Sequence, residues 1–234
     1  MYEVYGIPFC SNLKNDKRVC DIAIKCEIIE IDNLDKDKGI KEIEEKVRKI
    51  ENKAMFIGGD HSITYATIKA IKPDFVVVFD AHPDLAKPLK TITNEDWLRA
   101  LIEENVISSN QLLLVGIRSY DGEEESFIKN EGISAVFFDK FYLSLDEMTN
   151  FIMEKIKSNK KVYLSIDIDF INGSEIATNF PEPFGLNSRE FLYMMGRISK
   201  LKEKIFAIDI VEAITKDELT KKIVERIIKI FNLR

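Results

Sequence analysis

Residues 75–84 read Phe-Val-Val-Val-Phe-Asp-Ala-His-Pro-Asp, and this stretch decides the fold prediction. Its first half is an unbroken apolar run rich in β-branched residues, which is typical of a strand buried on both faces of a sheet. Asp80, His82 and Asp84 follow at alternate positions. In an extended backbone alternate side chains point to the same side, so these three can converge on one point. Because charges beside a hydrophobic core are costly unless a cation neutralises them, the stretch predicts a buried strand that ends at a metal site.

The rest of the chain continues this pattern as strands that alternate with helices. Short apolar runs predict strands at about residues 2–7, 27–31, 54–57, 74–79, 111–115, 135–138, 161–166 and 204–210. Amphipathic segments predict helices at about residues 39–51, 63–71, 95–104, 123–130, 145–157, 188–201 and 217–231. Such alternation indicates a parallel sheet with helices packed on both faces. No linker or low-complexity tract interrupts it, so we predict a single α/β domain over residues 1–234.

The composition argues against several classes of partner and location. The chain has 234 residues and a formal net charge of -6, which gives no electrostatic reason to expect binding to nucleic acid or an anionic membrane. It contains no apolar stretch of about 18 residues that could span a bilayer. The three cysteines form no Cys-x-x-Cys pair, and the N-terminus lacks the pattern of a secretory leader. We therefore expect a cytoplasmic protein with reduced thiols.

Polar motifs occur where the predicted strands end, which is where ligands bind in parallel α/β sheets. The third strand is followed by residues 58–62, Gly-Gly-Asp-His-Ser, and the seventh runs into residues 165–169, Ser-Ile-Asp-Ile-Asp. The last strand leads to Asp209 and Glu212. The chain has only two histidines, and both belong to these motifs. Capping aspartates and core histidines would be an alternative interpretation, but it leaves their shared location unexplained.

Several carboxylates cannot share a pocket as bare anions, because each raises the pKa of its neighbours. Two divalent cations resolve this repulsion. The six candidate ligands are His61, Asp80, His82, Asp84, Asp167 and Asp169. Four oxygen donors with two imidazoles favour a borderline-hard ion such as manganese. Two such ions about 3.5–4 Å apart can activate water at neutral pH, so the pattern predicts a hydrolase with two Mn²⁺ ions per chain.

These motifs resemble, in the same order, those of the ureohydrolase family, which contains arginases and agmatinases. The residues that carry the resemblance are Gly58-Gly59-Asp60-His61, Asp80-Ala81-His82-x-Asp84, Ser165-x-Asp167-x-Asp169 and Glu212, with Gly116-Ile117-Arg118 and Pro181-Glu182-Pro183 as further matches. The resemblance implies a three-layer α/β/α sandwich with a largely parallel eight-stranded sheet. It also implies a binuclear manganese centre, a small guanidino substrate and a homo-oligomer.

The resemblance further implies a role for each site residue. One ion would be bound by His61 with Asp84, the other by His82 with Asp169, and Asp80 with Asp167 would bridge both. Asp84 would also act in catalysis by passing a proton to the leaving amine. Glu212 would be the second catalytic residue and would pair with the guanidinium of the substrate. Asp60 would orient a metal ligand.

The chain departs from the family pattern around the substrate. Asn94 stands where family enzymes commonly carry a further histidine that shuttles a proton, and asparagine cannot shuttle one at neutral pH. We interpret Asn94 as the N-cap of the helix at residues 95–104. Residues 170–173 and residues 213–214 replace the usual Asp-Pro and Asn-Pro pairs. The predicted metal core is therefore intact, while the substrate shell is altered.

The sequence is compatible with three functions. The first is a hydrolase of a linear guanidino compound that releases urea and an amine, and Pro181-Glu182-Pro183 slightly favours agmatine over arginine. The second is a formimino or amidine hydrolase of the same family. The third is a non-catalytic metal-binding paralogue, which Asn94 suggests. Arg118 could bind a substrate carboxylate or form a structural salt bridge, and Trp97 is interpreted as a core residue.

Overall fold

The computed structural model describes residues 1–11, 24–31, 35–88, 90–138 and 144–233. The strands within these residues are β1 (Glu3–Ile7), β2 (Glu27–Ile28), β3 (Ala54–Gly58), β4 (Phe75–Phe79), β5 (Leu112–Ile117), β6 (Ser134–Phe137), β7 (Val162–Asp167) and β8 (Ile205–Val211). The helices are α1 (Lys36–Val47), α2 (Ser62–Ile71), α3 (Trp97–Glu103), α4 (Gly122–Glu131), α5 (Leu145–Lys157), α6 (Ser188–Ile198) and α7 (Glu218–Asn232). Over this part of the chain, no helix has the length and apolar character needed to cross a lipid bilayer.

The eight strands form one parallel sheet in the order β2-β1-β3-β8-β7-β4-β5-β6. The chain builds one side of the sheet with β1 to β3 and the other side with β4 to β6. The last two strands, β7 and β8, then fill the gap between β3 and β4. The strand order reverses at the centre of the sheet, and such a reversal leaves a crevice at the carboxyl ends of the central strands. These four central strands are the ones that the polar motifs follow.

Strand β4 shows how the sheet divides the core into two halves. Val77 and Phe79 pack in the cluster that contains α5, α6 and α7, whereas Val76 and Val78 pack in the cluster with α1 to α4. Every residue of β4 is buried, as the apolar run predicts. Helices thus cover both faces of the sheet, which confirms the predicted three-layer α/β/α architecture.

Helix α3, which carries Trp97 into the site, begins later than the sequence predicts. It begins at Trp97 with Asp96 as its N-cap residue, so the interpretation of Asn94 as the N-cap is wrong. The Asp96 side chain accepts a hydrogen bond from the Thr93 backbone N–H at 2.7 Å, and its carbonyl accepts from Ala100 N–H at 3.0 Å. The Asp96 side chain thus closes the turn before α3, and the helix begins two residues later than a cap at Asn94 would require.

Gly116 in β5 lies where the layers pack closely at the carboxyl end of the sheet. Its φ is +100°, and a Cβ there would lie 2.4 Å from the Phe170 ring and 3.0 Å from the Asp80 carbonyl oxygen. Because both the backbone conformation and the packing exclude a side chain, we expect Gly116→Ala to lower the free energy of unfolding by about 2–4 kcal/mol. Urea unfolding followed by circular dichroism measures this change.

Gly122 provides the matched control, since a Cβ at this first residue of α4 would meet no atom within 4 Å. We expect Gly122→Ala to leave the free energy of unfolding unchanged or to raise it by up to about 1 kcal/mol. Equal losses in the two variants would contradict the close packing described for Gly116.

Candidate metal centre

The four central strands bring all the predicted site residues to one crevice. His61 immediately precedes α2 after β3, and residues 80–84 follow β4. Asp167 ends β7, Asp169 lies in the short 3-10 turn after it, and Glu212 follows β8. The predicted residues that line the cavity are His61, His82, Asp84, Asp167, Asp169 and Glu212. Asp80 is buried directly behind them, in contact with both imidazoles.

The side chains form two groups that share Asp80. In the first group, His61 Nδ1 lies 3.0 Å from Asp80 Oδ2, 2.9 Å from Asp84 Oδ2 and 3.4 Å from Asp167 Oδ2. In the second group, His82 Nδ1 lies 2.9 Å from Asp169 Oδ2 and 3.6 Å from Asp80 Oδ1. The two oxygens of Asp80 thus face different imidazoles. Each group could hold one ion, with Asp80 between the two positions.

Two atoms of the first group lack the partners that buried polar atoms normally have. His61 Nδ1 and Asp80 Oδ2 are buried, and neither makes a hydrogen bond to any residue that the structure describes. Such unsatisfied groups are rare in native proteins and call for a water or an ion. Imidazole nitrogen and carboxylate oxygen are both ligands for divalent transition metals, so the residues present fit such an ion.

The pKa values of the carboxyl groups also indicate that the crevice lacks positive charge. Burial, followed by repulsion from Asp169 and Asp84, raises the pKa of Asp80 to about 6. Burial and the neighbouring Asp169 and Asp80 raise the pKa of Asp167 well above its usual range. For Glu212, burial and the charge of Asp60 raise the pKa to about 8. A cation in the crevice would favour the ionised forms of all three groups.

A buried hydrogen-bond network orients His61. Its Nε2 lies 2.8 Å from Ser165 Oγ, which donates to Asp209 at 2.7 Å. Because Ser165 gives its only proton to Asp209, its oxygen accepts from His61 Nε2–H, and in the neutral imidazole the lone pair is then on Nδ1. Asp209 is fully buried and also accepts from Thr64 and Tyr163, both at 2.6 Å. The network therefore directs the free imidazole nitrogen toward the carboxylates.

Glu182 provides the corresponding contact for His82. Its Oε1 lies 3.3 Å from His82 Nε2 and accepts a hydrogen bond from Ser119 Oγ at 2.9 Å. The central residue of Pro181-Glu182-Pro183 thus contacts a candidate metal ligand. The motif is evident in the sequence, but its contact with His82 depends on a loop conformation that no local pattern specifies.

Arg118 holds this loop in place through main-chain carbonyls. Its guanidinium donates to the carbonyl oxygens of Pro183 at 2.7 Å, Asp169 at 2.6 Å and Gly116 at 3.1 Å. These bonds join β5, the turn after β7 and the loop that carries Glu182. They engage the guanidinium with backbone groups, an arrangement that differs from both roles considered for Arg118 from the sequence.

Asp84 and Glu212 have strained backbones. Their φ values are 51° and 59°, in the left-handed region that residues other than glycine rarely adopt. The Glu212 backbone N–H donates to the Gly59 carbonyl at 2.8 Å, and its Oε1 accepts from the His61 backbone N–H at 3.0 Å. Asp84 accepts a hydrogen bond from the indole of Trp97 at 2.6 Å. These contacts hold both residues toward the crevice.

Three residues take positions that the sequence analysis did not foresee. Asn94 lines the cavity instead of capping α3. Asp60 accepts hydrogen bonds from Ser11 and Ser62, which ties the start of α2 to the segment after β1. Trp97 is buried in the core as expected, but it also contacts the candidate ligands. The need of a buried indole N–H for an acceptor is the signal that could have suggested this contact.

The sequence of this chain is similar to those of known proteins. The sequence model of the Arginase family matches residues 7–228. An arginase of Entamoeba histolytica is 31% identical over 210 residues, which cover 79% of this chain and 71% of that protein. An agmatinase of Pyrococcus horikoshii is 31% identical over 176 residues, which cover 71% of this chain and 57% of that protein. The chain spans between 50% and 76% of the length of several curated relatives.

A solved structure shows the same fold. The formimidoylglutamase of Bacillus subtilis superposes with a TM-score of 0.83 at 19% identity, and the match covers 98% of this chain and 85% of that protein. Since the family match extends over nearly the whole chain and includes all four strand-end motifs, this chain belongs to the arginase family.

Proposed function

We propose that this chain is a binuclear manganese hydrolase that cleaves a linear guanidino compound and releases urea and an amine. The observation that carries the proposal is the pair of imidazole–carboxylate groups that share Asp80 and face a cavity also lined by Glu212. Membership of the arginase family supports a hydrolase that acts on C–N bonds of guanidino compounds.

We assign His61 and Asp84 to one ion, His82 and Asp169 to the other, and Asp80 and Asp167 to both. The two-sided contacts of Asp80 support its assignment as a bridge. Asp167 Oδ2 lies 3.4 Å from His61 Nδ1, while its Oδ1 accepts from the Asp169 backbone N–H at 2.9 Å. Asp167 thus lies between the two groups. When bound, two such ions supply a nucleophilic water at neutral pH.

The other roles belong to Glu212 and Asp84. A guanidinium binds a carboxylate through charge-assisted hydrogen bonds, and the buried carboxylate of Glu212 lines the cavity beside the first group. Such a bond would hold the carbon of the substrate over the centre. Asp84 lines the same cavity and is placed to accept a proton and return it to the leaving amine.

The charge of the cavity supports a substrate with a cationic tail. Beyond the candidate ligands its lining includes Glu95, Asp121 and Glu124, and no lysine or arginine lines it among the described residues. The nearby Arg118 is engaged by backbone carbonyls. An acidic wall attracts an amine and repels a carboxylate. We therefore infer that agmatine, which ends in an amine, suits the cavity better than arginine or a formimino acid.

Removal of one bridging carboxylate tests the metal assignment. We expect Asp167→Asn to lose most of the bound manganese and all activity, because Asp167 is assigned to both ions. Elemental analysis after dialysis measures the ions per chain. With Mn²⁺ at 100 times its Kd, the melting temperature of the unmodified protein should rise by about 5–10 °C, and that of the variant should rise much less.

Asp121→Asn is the control for this test, since Asp121 is an N-cap residue of α4 outside both ligand groups, and asparagine also caps helices well. It should keep both ions and the full thermal shift. Two ions per chain and full turnover in Asp167→Asn would refute the bridging assignment.

A urea-release assay of the manganese-loaded protein tests the substrate. We expect kcat/KM to be highest for agmatine, lower for arginine and lowest for a guanidino acid whose tail is a carboxylate. Asp121→Asn should lower kcat/KM for agmatine by about 2–5-fold, as the loss of one partly exposed charge pair predicts. It should not affect butylguanidine, which has no tail amine.

Failure to release urea from any of these compounds, with two ions bound, would exclude the guanidino hydrolase. Formamide and a free amine released from a formimino compound would then identify the related hydrolase. Without turnover of either class, the non-catalytic paralogue would be the remaining function.

A further inference from the structure

We propose that Trp97 is a positioning residue of the metal centre, whose indole N–H holds the carboxylate of Asp84 while its ring packs against His61. The inference rests on the proposed metal centre, because Asp84 and His61 are the residues assigned to one of its ions. It gives the first residue of α3 a function beyond packing.

The geometry places Trp97 against both members of this pair. Its Nε1 donates to Asp84 Oδ2 at 2.6 Å, and its ring centroid lies 4.7 Å from that of His61 at an interplanar angle of 39°. The same Oδ2 atom lies 2.9 Å from His61 Nδ1. One carboxylate oxygen therefore lies between the indole N–H and the imidazole nitrogen that would bind the ion. Trp97 is fully buried, so water does not compete for this bond.

The unfavourable backbone conformation of Asp84 requires contacts that hold this residue in place. Its φ of 51° is unfavourable for an aspartate, and such a conformation persists only where the surroundings fix it. The next residue is also held, since the Leu85 backbone N–H donates to Glu124 Oε1 at 3.1 Å. Trp97 fixes the side chain and Glu124 fixes the adjacent backbone. The carboxylate is thus anchored from α3 and α4, two rigid elements.

The partner of the indole distinguishes this role from ordinary core packing. A buried indole N–H requires an acceptor, and any backbone carbonyl would satisfy it. In this protein the acceptor is a side chain assigned to the metal. Groups that orient metal ligands in this way typically change metal affinity when they are altered.

The chain has a single tryptophan, so its spectroscopic signals report on this contact alone. In the ¹H–¹⁵N spectrum of the metal-free protein, we expect one indole cross-peak, shifted downfield and slow to exchange with solvent. Mn²⁺ should broaden this peak and quench the tryptophan fluorescence, because the ring lies beside the ion position. A peak at the position of a free indole with rapid exchange would refute the hydrogen bond.

Two substitutions separate the hydrogen bond from the packing. Trp97→Phe keeps an aromatic ring, and replacement of Trp97 by benzothienylalanine keeps the ring shape but removes the N–H. We expect both to weaken Mn²⁺ binding at one of the two sites by about 10–100-fold, measured as free Mn²⁺ by electron paramagnetic resonance. Leu101→Met in the same helix is the control, and it should alter the melting temperature without altering the affinity.

Each outcome has a defined meaning. Unchanged affinity in both Trp97 variants would overturn the proposal and leave a packing role. Weak binding in Trp97→Phe with normal binding in the benzothienylalanine variant would assign the effect to ring shape and would also overturn it. No binding of Mn²⁺ to the unmodified protein would overturn the metal centre together with this inference. Absence of urea release with the affinity loss present would refute only the proposed substrate chemistry.

Discussion

The structure depends on how it accommodates several carboxylates that lie buried within a few ångströms of one another. Asp80, Asp167 and Glu212 are all buried, and their raised pKa values reflect burial and repulsion from neighbouring carboxylates. A fold cannot tolerate such a cluster without cations or protons. The sheet order, the strained backbones of Asp84 and Glu212 and the buried networks behind the histidines all serve to hold this cluster together.

The sequence was sufficient to predict the features that depend on local patterns. The apolar run at residues 75–79 indicates a strand buried on both faces, and the structure confirms it. Parallel strands end at one edge of a sheet, so the motifs at His61, His82 and Asp167 could be expected to meet there. They do meet, since all three line the same cavity.

The features that escaped prediction depend on contacts between segments distant in the chain. The sequence shows Asp209 as a polar residue near a strand end, but its bond to Ser165 depends on the pairing of β7 with β8. Trp97 and Asp84 are 13 residues apart, and only the folded loop between them brings the indole to the carboxylate. The N-cap predicted for α3 is wrong because the Asp96 side chain accepts from the Thr93 backbone N–H, and the turn that this bond closes delays the start of the helix to Trp97.

The insertion of β7 and β8 between β3 and β4 has a consequence for biosynthesis. His61 and Asp80 follow β3 and β4, which lie three strand spacings, or about 14 Å, apart in the finished sheet. Until the last third of the chain leaves the ribosome, nothing fills that gap or supplies Asp167, Asp169 and Glu212. Neither candidate ligand group is complete in the nascent chain until Asp167 and Asp169 have been made, so an ion that needs a complete group would stabilise the finished sheet and not its early assembly.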